Sequence, residues 1–144
     1  VILTDTNILL RALYPDHPHY TIAKRAIQTL RHRAEILCVT PQNIIEFWTV
    51  ATRSRDHNGL GLTLAEVAEE VKEIRALFRV LPDTPEILDI WNRLVIDNGV
   101  MGKPTHDARI VAAMEAHSVT SILTFNGGDF KRFPGVNVVD PAGV

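Results

Sequence analysis

Cysteine is nearly absent from the 144-residue chain: Cys38 stands alone, inside the apolar run EILCVT. A disulfide within the chain is excluded, and a thiolate zinc site is strongly disfavoured. Cys38 reads as an inert buried strand residue, not a nucleophile. Long hydrophobic runs are missing too. None approaches the roughly 20 residues of a membrane span, and no basic-then-apolar signal segment opens the chain. The expected setting is soluble, reducing and cytoplasmic. Charge of one sign is also lacking. Lys and Arg number 15 against 17 Asp and Glu, for a net −2. Any nucleic-acid binding must therefore come from a local basic patch and not from the whole surface. NGLGL (58–62) lacks the third glycine of a dinucleotide fingerprint and follows no strand, and there is no Walker loop or G-x-S-x-G elbow. Internal repeats, low-complexity tracts and linkers are absent.

What is present is an ordinary globular composition, 46% hydrophobic, which predicts one domain over 1–144 with a real core. Short β-branched runs predict strands at VILT (1–4), EILCV (35–39), VTSILTF (119–125) and VNVVD (136–140), with a minimal one at RVL (79–81). Helical spacing predicts helices over 8–14, 19–34, 41–52, 63–78, 84–98 and 103–117. Thr40–Pro41 and Thr84–Pro85 give two of them an N-cap followed by proline. Strands alternating with helices predict an α/β fold, a mainly parallel central sheet flanked by helices with right-handed crossovers.

NIIEFWTV (43–50) poses a question that packing alone does not answer. Glu46 sits among Ile44, Ile45, Phe47 and Trp48, where a core would place leucine and an unpaired charge costs several kcal/mol, roughly. In parallel sheets, ligands bind at the carboxyl ends of the strands. Asp5 ends the first strand, Glu46 lies early in the helix after the second, Asp107 opens the helix before VTSILTF, and Asp129 follows that strand. Singly, Asp5 also reads as a helix cap, Asp107 as a favourable first-turn anion and Asp129 as a turn residue. Jointly they make a carboxylate cluster, and clustered carboxylates repel unless a cation joins them. Oxygen-only donors suit Mg²⁺ or Mn²⁺, and such an ion is a platform for phosphoryl chemistry. Arg11, Lys103, Arg109, Lys131 and Arg132 lie near this edge in sequence and are candidates for holding RNA phosphates; scattered solvated charge is the alternative. His106, beside Asp107, touches substrate or serves the helix start. The histidines of DHPHY and RHR are not at ligand spacing.

Four stretches, ILTDTNILL, TPQNIIEF, THDARIVAAMEAH and LTFNGGDF with VNVVDP, resemble in order and spacing the PIN-domain family, specifically its VapC-like ribonuclease toxins. The resemblance spans nearly the whole chain. It implies a three-layer PIN-like domain and a Mg²⁺- or Mn²⁺-dependent endoribonuclease leaving a 5′-phosphate and a 3′-hydroxyl. The acidic quartet maps onto Asp5, Glu46, Asp107 and Asp129. Thr6 and Asn7 support the first acid, and Thr124 and Asn126 precede the last. Two glycines before Asp129 predict a loose loop under that carboxylate. The resemblance also implies a cognate antitoxin and a homodimer. The helices between Ile44 and Phe78 would supply that apolar surface, with Phe47 and Trp48 as candidates for it or for the core. A non-catalytic PIN module gripping RNA or a protein is the alternative function. A receiver-like domain fits poorly, because a single Asp followed by TN ends the first strand.

Overall fold

A computed structural model describes residues 1–144. Five short strands form one parallel sheet: β1 Ile2–Thr4, β2 Leu37–Val39, β3 Arg79–Val80, β4 Ser121–Leu123 and β5 Asn137–Val139. Six helices accompany them: α1 Thr6–Arg11, α2 Tyr20–His32, α3 Pro41–Thr52, α4 Leu64–Leu77, α5 Glu86–Asp97 and α6 Thr105–Ala116. The strand order is β3-β2-β1-β4-β5. The chain thus builds outward from β1 on one side and then returns to build outward on the other. The switch falls between β1 and β4, where a parallel sheet opens a crevice at its carboxyl edge.

Neighbouring residues on a strand face opposite sides of the sheet, and the core divides accordingly. Leu3, Cys38 and Ile122 face one layer with Ile87 and Leu94 of α5, Ile110 and Met114 of α6, Phe130 and Phe133. Ile2, Leu37, Val39 and Leu123 face the other with Ile8, Leu9, Ala23, Ala26, Phe47 and Val67. Helices on both faces of one sheet make the three-layer α/β arrangement that the sequence predicts. No helix is long and apolar enough to cross a membrane.

Local chemistry explains the element starts. Thr40 caps α3 by accepting from the Asn43 N–H, and the Asn43 side chain accepts from the Thr40 N–H, a reciprocal cap. Thr63 and Glu66 do the same for α4. α1 begins two residues before the expected Ile8, because Asp5 is extended and its carboxylate accepts from the Thr6 N–H. Thr84 serves α5 through its carbonyl, which accepts from the Ile87 N–H.

Phe47 belongs to the core, with no exposed surface, so it is removed from any candidate partner face; Trp48 packs half-buried beside it. On α4 the inward stripe is narrower than its sequence pattern. Val67 and Ile74 are buried, whereas Leu64 is 69% and Leu77 49% exposed. Cys38 is fully enclosed, and burial pushes its thiol up to about 11, which fits the inert role.

Candidate active site

The β1 end places Asp5 at the switch crevice, with its N–H bonded to the Leu123 carbonyl of β4 at 3.0 Å. Three donors hold its carboxylate. The Thr6 N–H reaches Oδ1 at 2.8 Å, and Oδ2 takes the Asn7 amide at 3.0 Å and the Thr124 hydroxyl at 2.6 Å. Asn7 and Thr124 are themselves joined. The Asn7 amide also donates to Thr124 Oγ1, and the Asn7 carbonyl accepts from the Phe125 N–H. The loop after β4 is thereby fastened to α1, and Asn126 is held by its N–H on Thr124 Oγ1.

Glu46 is half-buried on the first turns of α3 and faces this cluster, which answers the question that its apolar neighbours raise. Its Oε2 accepts from the Thr6 hydroxyl at 3.0 Å and its Oε1 from the Gln42 amide at 2.9 Å. Asn43 in turn donates to Thr6 Oγ1 at 3.2 Å, orienting that hydroxyl's proton toward Glu46. Gln42 is a bridge. Its amide nitrogen also donates to the His106 carbonyl at 2.8 Å, and its oxygen accepts from Arg109 at 3.1 Å. Arg109 is anchored by Asp83 at 3.1 Å. The α3 wall is thus tied to the start of α6, which carries Asp107.

Asp107 and Asp129 have no such support. Asp107 is half-buried in the first turn of α6, and Asp129 is exposed at the end of the turn Gly127–Asp129. Burial, then the charges of Asp129, Asp5 and Glu46, push the Asp107 carboxyl up to about 6, with His106 opposing weakly. Burial also raises Asp5, against the donors Thr124 and Thr6, with Glu46 and Asp129 adding to the rise. Asp5 and Asp107 therefore feel the charges of neighbouring acids across one cleft of about 670 Å³. The loop under Asp129 departs from expectation at one of its two glycines, while Gly128 meets open space. A Cβ on Gly127 would lie 2.7 Å from Val138 Cγ1, so this glycine permits tight packing against β5 and is not a sign of looseness.

The four carboxylates fit a hard divalent cation in donor chemistry. No three His, Cys, Asp or Glu side chains close into a ready-made metal cage.

Of the basic candidates, only Lys103 lines the cleft, with His106 beside it. Arg109 braces Gln42, and Arg132 donates to the Asn98 carbonyl at 3.5 Å. Arg11 and Lys131 are not among the lining residues. Two residues escaped the sequence reading. Gln42 stands four before Glu46, the spacing of helix-surface neighbours. Arg53, a cleft residue, stands seven after Glu46 on the same stripe.

The PIN domain family model matches residues 2–136. Solved structures share the fold at low identity. FitAcB from Neisseria gonorrhoeae aligns with a TM-score of 0.71 at 19% identity, covering 100% of both chains. VapBC-1 from nontypeable Haemophilus influenzae gives 0.71 at 14%, covering 97% of each. VapC20 from Mycobacterium tuberculosis, a toxin that cleaves the sarcin–ricin loop, gives 0.65 at 17%, covering 90% of this chain and 92% of that one. No curated protein sequence matches the chain.

Proposed function

This chain belongs to the PIN domain family, and from that premise we propose that it is a Mg²⁺- or Mn²⁺-dependent endoribonuclease, the toxin of a toxin–antitoxin pair. The observation that carries the reading is the meeting of Asp5, Glu46, Asp107 and Asp129, from four separate segments, in one cleft. Those four side chains would hold the ion. When bound, it polarises a phosphodiester, lowers the pKa of a water and steadies the leaving oxygen.

The protein's own part is positioning. An ionised carboxylate offers about four acceptor sites, and the Thr6, Asn7 and Thr124 donors occupy three on Asp5. One remains, held in a fixed direction. Glu46 keeps two free in the same way. The Asp107 carboxyl, pushed up to about 6, would lose its proton to make room for a cation, so ion uptake would release protons at about pH 6 and below.

Two features support a protein partner. Several of the similar structures are toxin–antitoxin complexes, among them one from Klebsiella pneumoniae. In this chain, an apolar trough of about 330 Å³ runs between α1, α2 and α4, lined by Leu9, Leu13, Ile27, Ile74, Leu77 and Phe78. Homodimerisation remains part of the reading; the exposed Ile45 and Leu64 on α3 and α4 support it.

The test is cleavage of end-labelled RNA by the purified chain, with and without EDTA. Fragments bearing 5′-phosphates, formed only with Mg²⁺ or Mn²⁺, are expected. EDTA-resistant cutting, or products with 2′,3′-cyclic phosphates, would overturn it.

A further inference from the structure

The α3 helix bears more than Glu46 on its cleft face. Thr49 and Val50 of α3, and Arg53 at its C-cap, also line the cleft, at positions three, four and seven after Glu46, the spacing of one helix stripe. Seven residues of helix rise roughly 10 Å, a distance that a single-stranded chain crosses in a nucleotide or two. The stripe therefore runs from a carboxylate at one end to a guanidinium at the other.

Arg53 is unusual among the arginines in two respects. Its side chain makes no ion pair and no hydrogen bond, which Arg11, Arg25, Arg33, Arg75 and Arg79 share, but it is the one arginine that lines the cleft. Its backbone, by contrast, is fixed from both sides. The N–H donates to the Thr49 carbonyl at 3.2 Å, and the carbonyl accepts from the Gly61 N–H at 2.9 Å. The returning chain also bonds back onto the last turn of α3, with the Leu60 N–H on Val50 and the Leu62 N–H on Ala51. Gly59 makes this approach possible: a Cβ there would lie 1.9 Å from the Arg53 carbonyl oxygen. Main-chain atoms would have to move to admit it. The fold thus clamps the backbone and leaves a free cation at the cleft. Lys103, the other cation lining the cleft, stands just ahead of α6 and is likewise without an acid partner.

Resting on the endoribonuclease reading, we infer that Arg53 and Lys103 grip the sugar–phosphate backbone of single-stranded RNA within the cleft. Arg53 takes a phosphate displaced by about two helical turns from the acidic cluster. Phosphate contacts fix register and carry no sequence information themselves. The pair therefore decides where along the strand the cluster falls and not which base is read. Two cations at the cleft also offset the repulsion that four acids would exert on a polyanion.

The experiment measures binding separately from cutting. A fluorescein-labelled oligouridylate is titrated with the Asp5→Asn chain in Mg²⁺ over a range of KCl, alone and combined with Arg53→Gln, Arg53→Lys or Lys103→Gln. Each lost phosphate contact on a single strand should reduce the log–log salt slope by about 0.7, which near 0.1 M salt is about fivefold in affinity. Arg53→Gln and Lys103→Gln should each show that change, and together twice the slope change. Arg53→Lys should keep the slope. Gly59→Ala, if its circular dichroism stays native, should weaken binding although every charge is retained. Parental affinity and slope in Arg53→Gln, or no binding of RNA by the Asp5→Asn chain, would overturn the inference. Absence of Mg²⁺-dependent cleavage by the parent chain, with RNA binding and its salt slopes as described, would count against the nuclease reading alone.

Discussion

The two halves of the acidic cleft are built differently. Asp5 and Glu46 between them accept five hydrogen bonds, from Thr6 twice and from Asn7, Thr124 and Gln42. Asp107 and Asp129, across the cleft, accept none, and the Asp107 carboxyl sits at about 6. One half is fixed before any ligand arrives. The other lacks such donors, and its carboxylates repel until positive charge enters. Preorganised donors cost nothing to reorganise at the moment of reaction. A site that must exchange an ion cannot be wholly rigid, however, and dividing it this way gives both properties.

Removing the centre of the braced half should do the most damage. Asp5→Asn keeps the shape and can keep the Thr6 N–H, but its amide opposes the Asn7 and Thr124 donors and removes the charge. Cleavage should fall by about a thousandfold or more, the scale of losing a main electrostatic group, with the fold intact by circular dichroism. Substantial activity in that variant would mean that the braced half is scaffolding only.

The unbraced half has one fixed point, Gly127. Gly127→Ala drives a Cβ toward Val138 Cγ1, at 2.7 Å, so either the Val138 side chain or the turn carrying Asp129 must shift. Overpacking of this kind costs about 1–3 kcal/mol, and cleavage should drop roughly tenfold, since small displacements near the chemistry are costly. Val138→Ala in the same chain should restore both melting temperature and rate. Without that rescue, the position of Asp129 would be unrelated to this contact.

Gln42 tests whether the brace extends beyond direct ligands. Gln42→Ala leaves Glu46 Oε1 and the His106 carbonyl without their donor, at about 1–3 kcal/mol for a buried unsatisfied group. The expected result is a roughly fivefold to tenfold lower kcat and a higher Mg²⁺ requirement, with RNA affinity unchanged. Gln42→Glu should be worse, adding a like charge beside Glu46 and losing the donor to it. Equal behaviour of the two variants would show that Gln42 acts only in packing.

The sequence reveals the braced half better than the unbraced one. Glu46 stands out because an apolar helix turn is a poor place for an unexplained carboxylate, whereas Asp5 reads equally well as a helix cap, a part it also plays. The parallel sheet and its carboxyl edge follow from the strand–helix alternation. The basic residues were read less well. Arg11, Lys131 and Arg132 neighbour the site in sequence, but direction decides contact, and Arg132 turns away to Asn98. Arg53 is the converse case: it stands two helical turns from Glu46, and only helical periodicity carries it to the cleft. The two glycines before Asp129 divide, Gly127 packing against the Val138 side chain and Gly128 meeting open space, and sequence alone does not separate these two uses of glycine.

The smallest effect concerns stability and pH. An Asp in an unfolded chain titrates near 3.9, whereas Asp107 in the folded protein titrates at about 6. Between those values the folded state binds more protons than the unfolded one. Stability therefore falls as pH rises through that window, and the full penalty remains above it. This is opposite to a salt-bridged aspartate. Asp107→Asn removes the penalty, so its metal-free melting temperature should match the parent's below about pH 4 and exceed it above about pH 6. The carboxylate is only half-buried, so solvent screening reduces the gain to about 1 kcal/mol, or roughly 3 °C in a domain of this size. Mg²⁺ should narrow the gap, because it binds the folded parent more tightly than the variant and stabilises it by mass action. Calorimetry across pH, with and without Mg²⁺, reads both effects. A variant no more stable than the parent at pH 7.5 would mean that Asp107 lies in a relaxed environment, and the division between a braced and a strained half would fail.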